Sequence, residues 1–422
     1  MSEDPRHGDG PGGDVVGSDD DALAARIRAA AELIEPPTGA PVPVLRRRAQ
    51  RRVRRRRGLA AAGSVAVVLA VAASATLLVG PNHGRVSVAE PVAVADRALG
   101  RSPGVAGEWT WRDMEALKSR TGKASGYGIR EGAGDDLLVY LDESGVCLDG
   151  DSCRASADGF GANDLRRRFV ARNGGPAAPL IGPGAPFAGW DVAVVPGITG
   201  DLHSGRQSGV DVPGGPAGQR FVGSENLDLV LAWLAEERPN TQRVVLAGSG
   251  SGGLATLLAT PQVERVAGER LVGVIANGGA VPGSGQIVPS CVVRHWSLLW
   301  GVGYPDDWGD HVPDPSTKRL ADLYPYLADR FPNVAFAQLS GTDDPTMRAL
   351  FRTGTDQCDQ QPAPVTSAGF GAGVASLDRR LANLKGWEFF LVDETTSAPL
   401  APSDGAAAVP GFLKWAQTLV EP

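Results

Sequence analysis

The sequence predicts an α/β domain with a mostly parallel central sheet, arranged in three layers and preceded by one transmembrane helix. Short apolar segments recur along residues 106–422, and helical segments separate them. Strands that alternate with helices form right-handed crossovers, which make the strands parallel. An uncharged run over residues 58–80 predicts the transmembrane helix. The chain has 422 residues, 42% of them hydrophobic, which is enough for one large core.

Six segments are predicted to be buried strands. They are residues 137–141, 190–195, 243–247, 271–276, 334–339 and 388–392. A helix is predicted between the second and third strands, with Ser224 as its N-cap and its apolar residues on one face. A second helix over residues 317–324 is predicted to begin after Ser316, and Pro325 is expected to end it or to kink it.

Nine arginines between residues 46 and 57 lie immediately before the uncharged run. At about 1.5 Å per residue, this run is long enough to cross a hydrocarbon core of about 30 Å. Because arginines mark the cytoplasmic flank, we expect a single-pass protein of the cell membrane, with the lipid bilayer as a partner. Residues 1–57 would be cytoplasmic, residues 81–105 a linker, and residues 106–422 an extracytoplasmic domain. The alternative is a cleaved signal peptide with the same run as its apolar core.

The charge is distributed unevenly along the chain. Residues 1–57 hold twelve arginines and nine acidic residues, so +3 of the total of −7, which leaves −10 for the remainder. An acidic domain argues against nucleic acid as a partner. The tail itself is predicted to be mostly disordered, with a short helix at residues 21–35 that a pair of prolines ends.

All four cysteines follow residue 146, and no pair has the C-x2-C spacing of a zinc or redox site. An even number on one side of a membrane segment predicts two disulfides in an oxidising compartment. Cys147 and Cys153 are close enough for a local bridge, and Cys291 and Cys358 are the remaining pair. Four buried free thiols are the open alternative. No metal and no cofactor is predicted.

The third predicted strand runs directly into residues 248–253, Gly-Ser-Gly-Ser-Gly-Gly, and a helical segment follows. A strand, a tight turn of small residues and a helix are the context of a nucleophile elbow. Two frames are open, because either Gly250 or Ser251 could lie at the apex. Three glycines of the turn also fit the dinucleotide pattern G-x-G-x-x-G, but Glu269, the candidate acidic partner, precedes the next strand rather than ending it.

Four segments in order resemble the pectin acetylesterase family of carboxylesterases and its Notum-like members. They are residues 139–147, 195–205, 221–234 and 245–254. The first resembles the family's strand and G-G-G-x-C oxyanion loop, the second its V-P-Y-C-x-G-D-x-H-x-G segment, and the last its G-x-S-A-G-G elbow. The resemblance implies an α/β-hydrolase domain over roughly residues 106–420, with a triad of serine, acid and histidine.

The triad positions depart from the family pattern. The family frame places Gly250 where the nucleophilic serine should be. Asp344 matches the acid, although Asp344 next to a proline is equally typical of a helix cap. Ser397 occupies the position expected for the histidine, and no histidine follows His311. Serine acyl transfer needs a base, so these departures predict a degenerate site. A glycine at the elbow would also relieve backbone strain of about 1–3 kcal/mol.

The oxyanion loop departs as well. Its three glycines read Glu143, Ser144 and Gly145 here, and Glu143 would place a negative charge near a developing oxyanion. His203 lies in a segment that resembles an active-site loop. Two interpretations of it are open: a hydrogen-bond partner that orders the loop, or a makeshift base for Ser251.

The leading hypothesis is a non-catalytic domain for binding or scaffolding that keeps a pocket for a glycan or an acyl ester. One alternative is an active carboxylester hydrolase, such as a deacetylase of envelope glycans, with Ser251 as nucleophile and His203 as base. A second alternative is a transmembrane sensor whose output is the helix at residues 21–35.

Overall fold

A computed structural model describes residues 107–143, 145–302, 304–305, 307–308, 319–400, 409 and 411–421. All of them belong to one compact unit, Leu99–Pro422. Its strands are β1 (Trp109–Lys118), β2 (Ala124–Arg130), β3 (Leu137–Leu141), β4 (Asp191–Val195), β5 (Gln207–Val210), β6 (Gln219–Phe221), β7 (Val244–Ser249), β8 (Leu271–Asn277), β9 (Ala335–Asp343) and β10 (Trp387–Thr395).

Eight of these strands form the main sheet, in the order β1-β2-β4-β3-β7-β8-β9-β10. Strand β2 is antiparallel to both of its neighbours, and the six strands from β4 to β10 pair in parallel. Strands β5 and β6 form a separate antiparallel pair. The parallel strands end at one edge of the sheet, so the loops that follow them converge there.

The helices cover both faces of the sheet. They are α1 (Gly150–Ala155), α2 (Ala162–Arg168), α3 (Ala178–Ile181), α4 (Gly223–Glu237), α5 (Ser251–Ala267), α6 (Ser290–Trp300), α7 (Leu323–Arg330), α8 (Pro345–Leu350), α9 (Ser367–Leu381) and α10 (Phe412–Gln417). Alternate residues of each central strand enter opposite cores: Val139 packs with α4, α5 and α6, whereas Tyr140 packs with α2, α3 and α10. The domain therefore has three layers.

The transmembrane helix is the part of the fold prediction that is corrected. No helix within the residues given above is both long and apolar enough to cross a lipid bilayer. The predicted span, residues 58–80, lies outside the described residues, as do the tail at 1–57, its helix at 21–35 and the linker at 81–105. The fold that the structure supports is the α/β domain alone.

Two predicted helix ends are also wrong. Ser224 is not the N-cap of α4 but lies inside its first turn, where its hydroxyl donates to Gln262. The buried carboxylate of Asp201 accepts the Gly223 N–H instead, so a distant loop caps this helix. Pro325 lies in the first turn of α7 rather than at a helix end, and this is tolerated because the N–H it lacks would have no partner within the helix.

Candidate active site

Gly250 lies at the apex of the turn between β7 and α5. Its backbone angles are φ 56° and ψ −121°, in the left-handed half of conformational space that glycine enters at little cost. The Gly250 N–H donates to the carbonyl of Asn277 at 2.9 Å, and its own carbonyl accepts the Gly253 N–H at 3.0 Å. This is the sharp strand-to-helix turn on which a hydrolase holds its nucleophile. The structure thus puts Gly250, and not Ser251, at the apex.

The side chain of Glu143 fills the space above Gly250. A β-carbon built on Gly250 would overlap the Oε1 atom of Glu143 and lie 3.2 Å from its Cδ atom. Glu143 is the second residue after β3, which is the neighbour of β7 in the sheet. A carboxyl group therefore occupies the place where the side chain of a nucleophile would project.

This carboxyl group faces the amino end of α5, a helix of 17 residues. The amino end of a helix carries a partial positive charge, which in a hydrolase would help to stabilise the oxyanion. Here a protein carboxylate lies in that field.

The surroundings of Glu143 are otherwise unfavourable to its charge. Glu143 is exposed to solvent, yet the protein around its carboxyl raises the pKa through desolvation. The nearby Arg168 opposes this shift and the Asp344 carboxylate adds to it. Asp142, the preceding residue, is buried, and burial raises its pKa to about 7 although Arg168 donates to its Oδ1 atom at 2.8 Å. Three carboxyl groups thus lie close to the elbow.

Asp344 and Ser397 are brought together in the arrangement of a triad's acid and third member. The Ser397 hydroxyl lies 2.7 Å from Asp344 Oδ1 and 2.8 Å from the Thr346 hydroxyl. Asp344 also caps α8, because the same Oδ1 atom accepts the Met347 N–H at 2.9 Å. Its side chain is buried, and desolvation raises its pKa, with the Ser397 hydrogen bond opposing. The helix-cap interpretation of Asp344 is therefore confirmed.

Ser397 also lies close to the elbow, because its carbonyl and the Gly250 nitrogen both lie next to Gly278. A β-carbon on Gly278 would overlap the carbonyl oxygen of Ser397 and lie 3.3 Å from the Gly250 nitrogen. The loops after β7, β8, β9 and β10 therefore meet at one place. The three positions Gly250, Asp344 and Ser397 converge, but they supply neither a nucleophilic hydroxyl at the apex nor an imidazole.

A buried network beneath the elbow was not found by sequence reasoning. The Tyr140 hydroxyl donates to Ser249 Oγ at 2.7 Å, and the Asn277 amide donates to the same atom at 2.9 Å. Asn277 Oδ1 then accepts the Leu400 N–H at 3.0 Å, which fixes the loop that carries Ser397. Ser249 thus has a structural role. In the sequence, only the position of Ser249 before the apex could have pointed to this role. Arg168, which binds Asp142, lies in a run of surface arginines, and nothing in the sequence pointed to its role.

The loop after Glu143 is fixed by a disulfide and by hydrogen bonds. Ser144 lies outside the described residues, and Gly145 follows with a left-handed φ of 59°. Cys147 is bonded to Cys153, its N–H donates to the Gly200 carbonyl at 2.8 Å, and its carbonyl accepts the Trp300 indole N–H at 3.0 Å. The second bridge joins Cys291 of α6 to Cys358. Both predicted disulfides are confirmed.

His203 lies beside the oxyanion loop. Its Nε2 atom lies 2.9 Å from the Asp142 carbonyl, which can only accept, so this nitrogen carries the proton. The ring is buried, and burial lowers its pKa. His203 therefore orders the loop through this hydrogen bond. Ser251, the first residue of α5, is buried as well. Within the described residues no group of three or more candidate metal ligands is found.

Comparison with known proteins shows the fold. No protein-family model matches the sequence, and no curated protein matches it. Among solved structures, the Wnt deacylase Notum from Drosophila superposes with a TM-score of 0.50 at 17% sequence identity, over 75% of this chain and 94% of Notum. The chain therefore has a fold similar to that of Notum.

Proposed function

We propose that this chain is a degenerate member of the pectin acetylesterase and Notum-like group, which binds a glycan or an acyl ester without hydrolysing it. The observation that carries the proposal is the carboxyl group of Glu143 in the space above Gly250. A hydrolase needs this space for the nucleophile and for the reacting carbonyl carbon. Here a side chain of the protein fills it.

The proton chemistry of ester hydrolysis also lacks a carrier at this site. A serine nucleophile needs a base that accepts its proton, and a histidine held by a carboxylate usually serves. Ser397 is held by Asp344 in this way, but a hydroxyl group is not a base near neutral pH. The acid position is retained here as a helix cap.

The electrostatic field around the elbow supports the same proposal. A tetrahedral intermediate carries a negative charge, and each correctly placed donor stabilises it by about 3 kcal/mol. The carboxyl group of Glu143 opposes such a charge at short range. A neutral ligand rich in hydroxyl groups would instead find an acceptor in the exposed carboxyl group of Glu143.

The two disulfides support a location in an oxidising compartment. We therefore place the binding role outside the cytoplasm, where glycans and acylated polymers of the cell envelope can serve as ligands.

The test is the hydrolysis of p-nitrophenyl acetate and butyrate by the purified full-length chain, with a heat-killed sample as control. The expected rate equals that of the control, and titration with acetylated oligosaccharides should show binding without release of acetate. Hydrolysis that disappears on Ser251→Ala would overturn the proposal and support an active carboxylester hydrolase. Absence of both hydrolysis and binding would show that glycans and acyl esters are not the ligands of this site.

A further inference from the structure

A cleft lies between the loop that carries His203 and the middle of α5. It has a volume of about 360 Å³ and a largely polar lining that includes His203, Arg206, Gln262, Arg265 and Tyr304. Arg265 is 14 residues after the start of α5, which at about 1.5 Å per residue places it roughly 20 Å along the helix from the elbow. Arg265 is thus distant from the elbow, although His203, which also lines the cleft, binds the Asp142 carbonyl beside the site described above.

Two guanidinium groups line this cleft with their donors largely unused. Arg206 and Arg265 lie 3.9 Å and 3.7 Å from the two oxygens of Asp228, too far for hydrogen bonds. Within the described part of the chain, neither guanidinium donates a hydrogen bond to another group. One carboxylate therefore faces two guanidinium cations, so these three side chains together carry a formal charge of +1.

This positive charge contrasts with the formal net charge of the whole chain, which is −7. Two lining residues of the cleft already bond to each other: the Ser224 hydroxyl donates to Gln262 Oε1, and the Gln262 amide donates to the Ser224 carbonyl. A new ligand would accordingly be held by the two arginines at the rim.

The backbone of the adjoining loop is strained. Leu202 and His203 are consecutive non-glycine residues with left-handed φ angles of 55° and 54°. Strain of this kind persists where the surroundings fix it, and it is concentrated at functional sites. Asp201 fixes the loop here, because its buried carboxylate binds Thr199 and the Gly223 N–H. The loop thus fixes the backbone of His203 and Arg206 at one wall of the cleft.

We propose that this cleft binds a small oxyanion, the carboxylate or phosphate group of a low-molecular-weight ligand, between Arg206 and Arg265. Planar guanidinium groups bind both anions through paired hydrogen bonds. A cleft of this size admits the anionic group together with a few further atoms.

The test is calorimetric titration of the full-length chain with inorganic phosphate, with malonate, and with malonamide as the neutral counterpart of malonate. At least one anion should bind and malonamide should not, and the tighter anion identifies the source. Arg206→Gln and Arg265→Gln should each weaken binding about tenfold or more, whereas Arg172→Gln, an exposed arginine elsewhere, should leave it unchanged. Asp228→Asn should strengthen binding because it removes the competing carboxylate.

Three results would overturn the proposal. They are binding of neither anion, equal binding of malonamide, and anion binding that survives in the double variant Arg206→Gln with Arg265→Gln. Circular dichroism of each variant establishes that it is folded, and the substituted side chains are exposed at the surface, so the comparison does not depend on the core.

Discussion

The carboxyl group of Glu143 lies where a side chain at residue 250 would project, so that a β-carbon on Gly250 would overlap its Oε1 atom. Glu143 lies two residues after β3 and Gly250 directly after β7, and these two strands are neighbours in the sheet. Glycine at the apex leaves the space, and glutamate fills it.

The first prediction concerns the stability of the elbow. Gly250→Ala should lower the free energy of unfolding by about 1–3 kcal/mol, because alanine is strained at a φ of 56°. Gly189→Ala is the control, since Gly189 is exposed and a β-carbon added there would meet no atom within 4 Å. Urea denaturation measures both. The double variant Glu143→Gly with Gly250→Ala should recover only the part of the loss due to overlap, and full recovery would contradict backbone strain as a cause.

The second prediction concerns restoration of catalysis. Gly250→Ser or Ser397→His alone should give no ester hydrolysis, because the members of a triad act as a unit. The pair should give slight activity toward p-nitrophenyl acetate, and adding Glu143→Gly should raise it further by removing the negative charge. Triple-variant activity no higher than that of the pair would show that Glu143 does not oppose the reaction.

The third prediction concerns pH. Burial raises the pKa of Asp142 to about 7 and that of Asp201 to about 6, above their ordinary value of 3.8. Their contributions to stability are therefore fully present below about pH 4 and are lost as the pH rises through 6 to 7. Burial lowers the pKa of His203 below its ordinary value of 6.5, so its effect on stability is opposite: its contribution is lost as the pH falls below 6.5.

Asp142→Asn should flatten the fall in melting temperature between pH 4 and 8, since the amide stays neutral throughout. The difference in the free energy of unfolding between Asp142→Asn and wild type should reach about 2 kcal/mol at pH 8. Asp359→Asn, at an exposed position, serves as the control. Parallel curves for Asp142→Asn and wild type would show that Asp142 does not titrate in this range.

The fourth prediction compares the disulfides. Cys147 and Cys153 are 6 residues apart, and Cys291 and Cys358 are 67 apart. Closing a longer loop restricts the unfolded chain more, so removing the second bridge with two alanines should cost about 4 kcal/mol and removing the first about 2 kcal/mol. Denaturation of the two double variants tests the order. A larger loss at the shorter bridge would mean that fixing the oxyanion loop outweighs chain entropy.

The sequence predicted the strands at the centre of the sheet better than its edge strand and the ends of the helices. Strand β3 has the predicted bounds, because five consecutive apolar residues can only be buried. Strand β1 was missed, since it lies at the edge and half of its residues are exposed, which leaves no periodic pattern. The helix ends at Ser224 and Pro325 were misjudged because the cap of α4 comes from Asp201, far away in the chain, and because a proline is tolerated in the first turn of α7.

The candidate site was also predicted only in part from the sequence. The positions Gly250, Asp344 and Ser397 follow parallel strands, so topology alone brings them to one edge. The charge of Glu143 near the elbow was also anticipated, but its overlap with a β-carbon on Gly250 depends on the register of β3 against β7. The roles of Arg168, which pairs with Asp142, and of Ser249 beneath the elbow depend on tertiary contacts that no local pattern records.

The proposal that the site has no nucleophile is tested most directly by the intact mass of the full-length chain after incubation with a fluorophosphonate, which reacts only with an activated hydroxyl. We expect an unchanged mass, because Gly250 offers no hydroxyl and Ser397 cannot act as a base. A stoichiometric mass increase that peptide mapping assigns to Ser251 would contradict this, and would show that a hydrolytic nucleophile survives one residue beyond the apex.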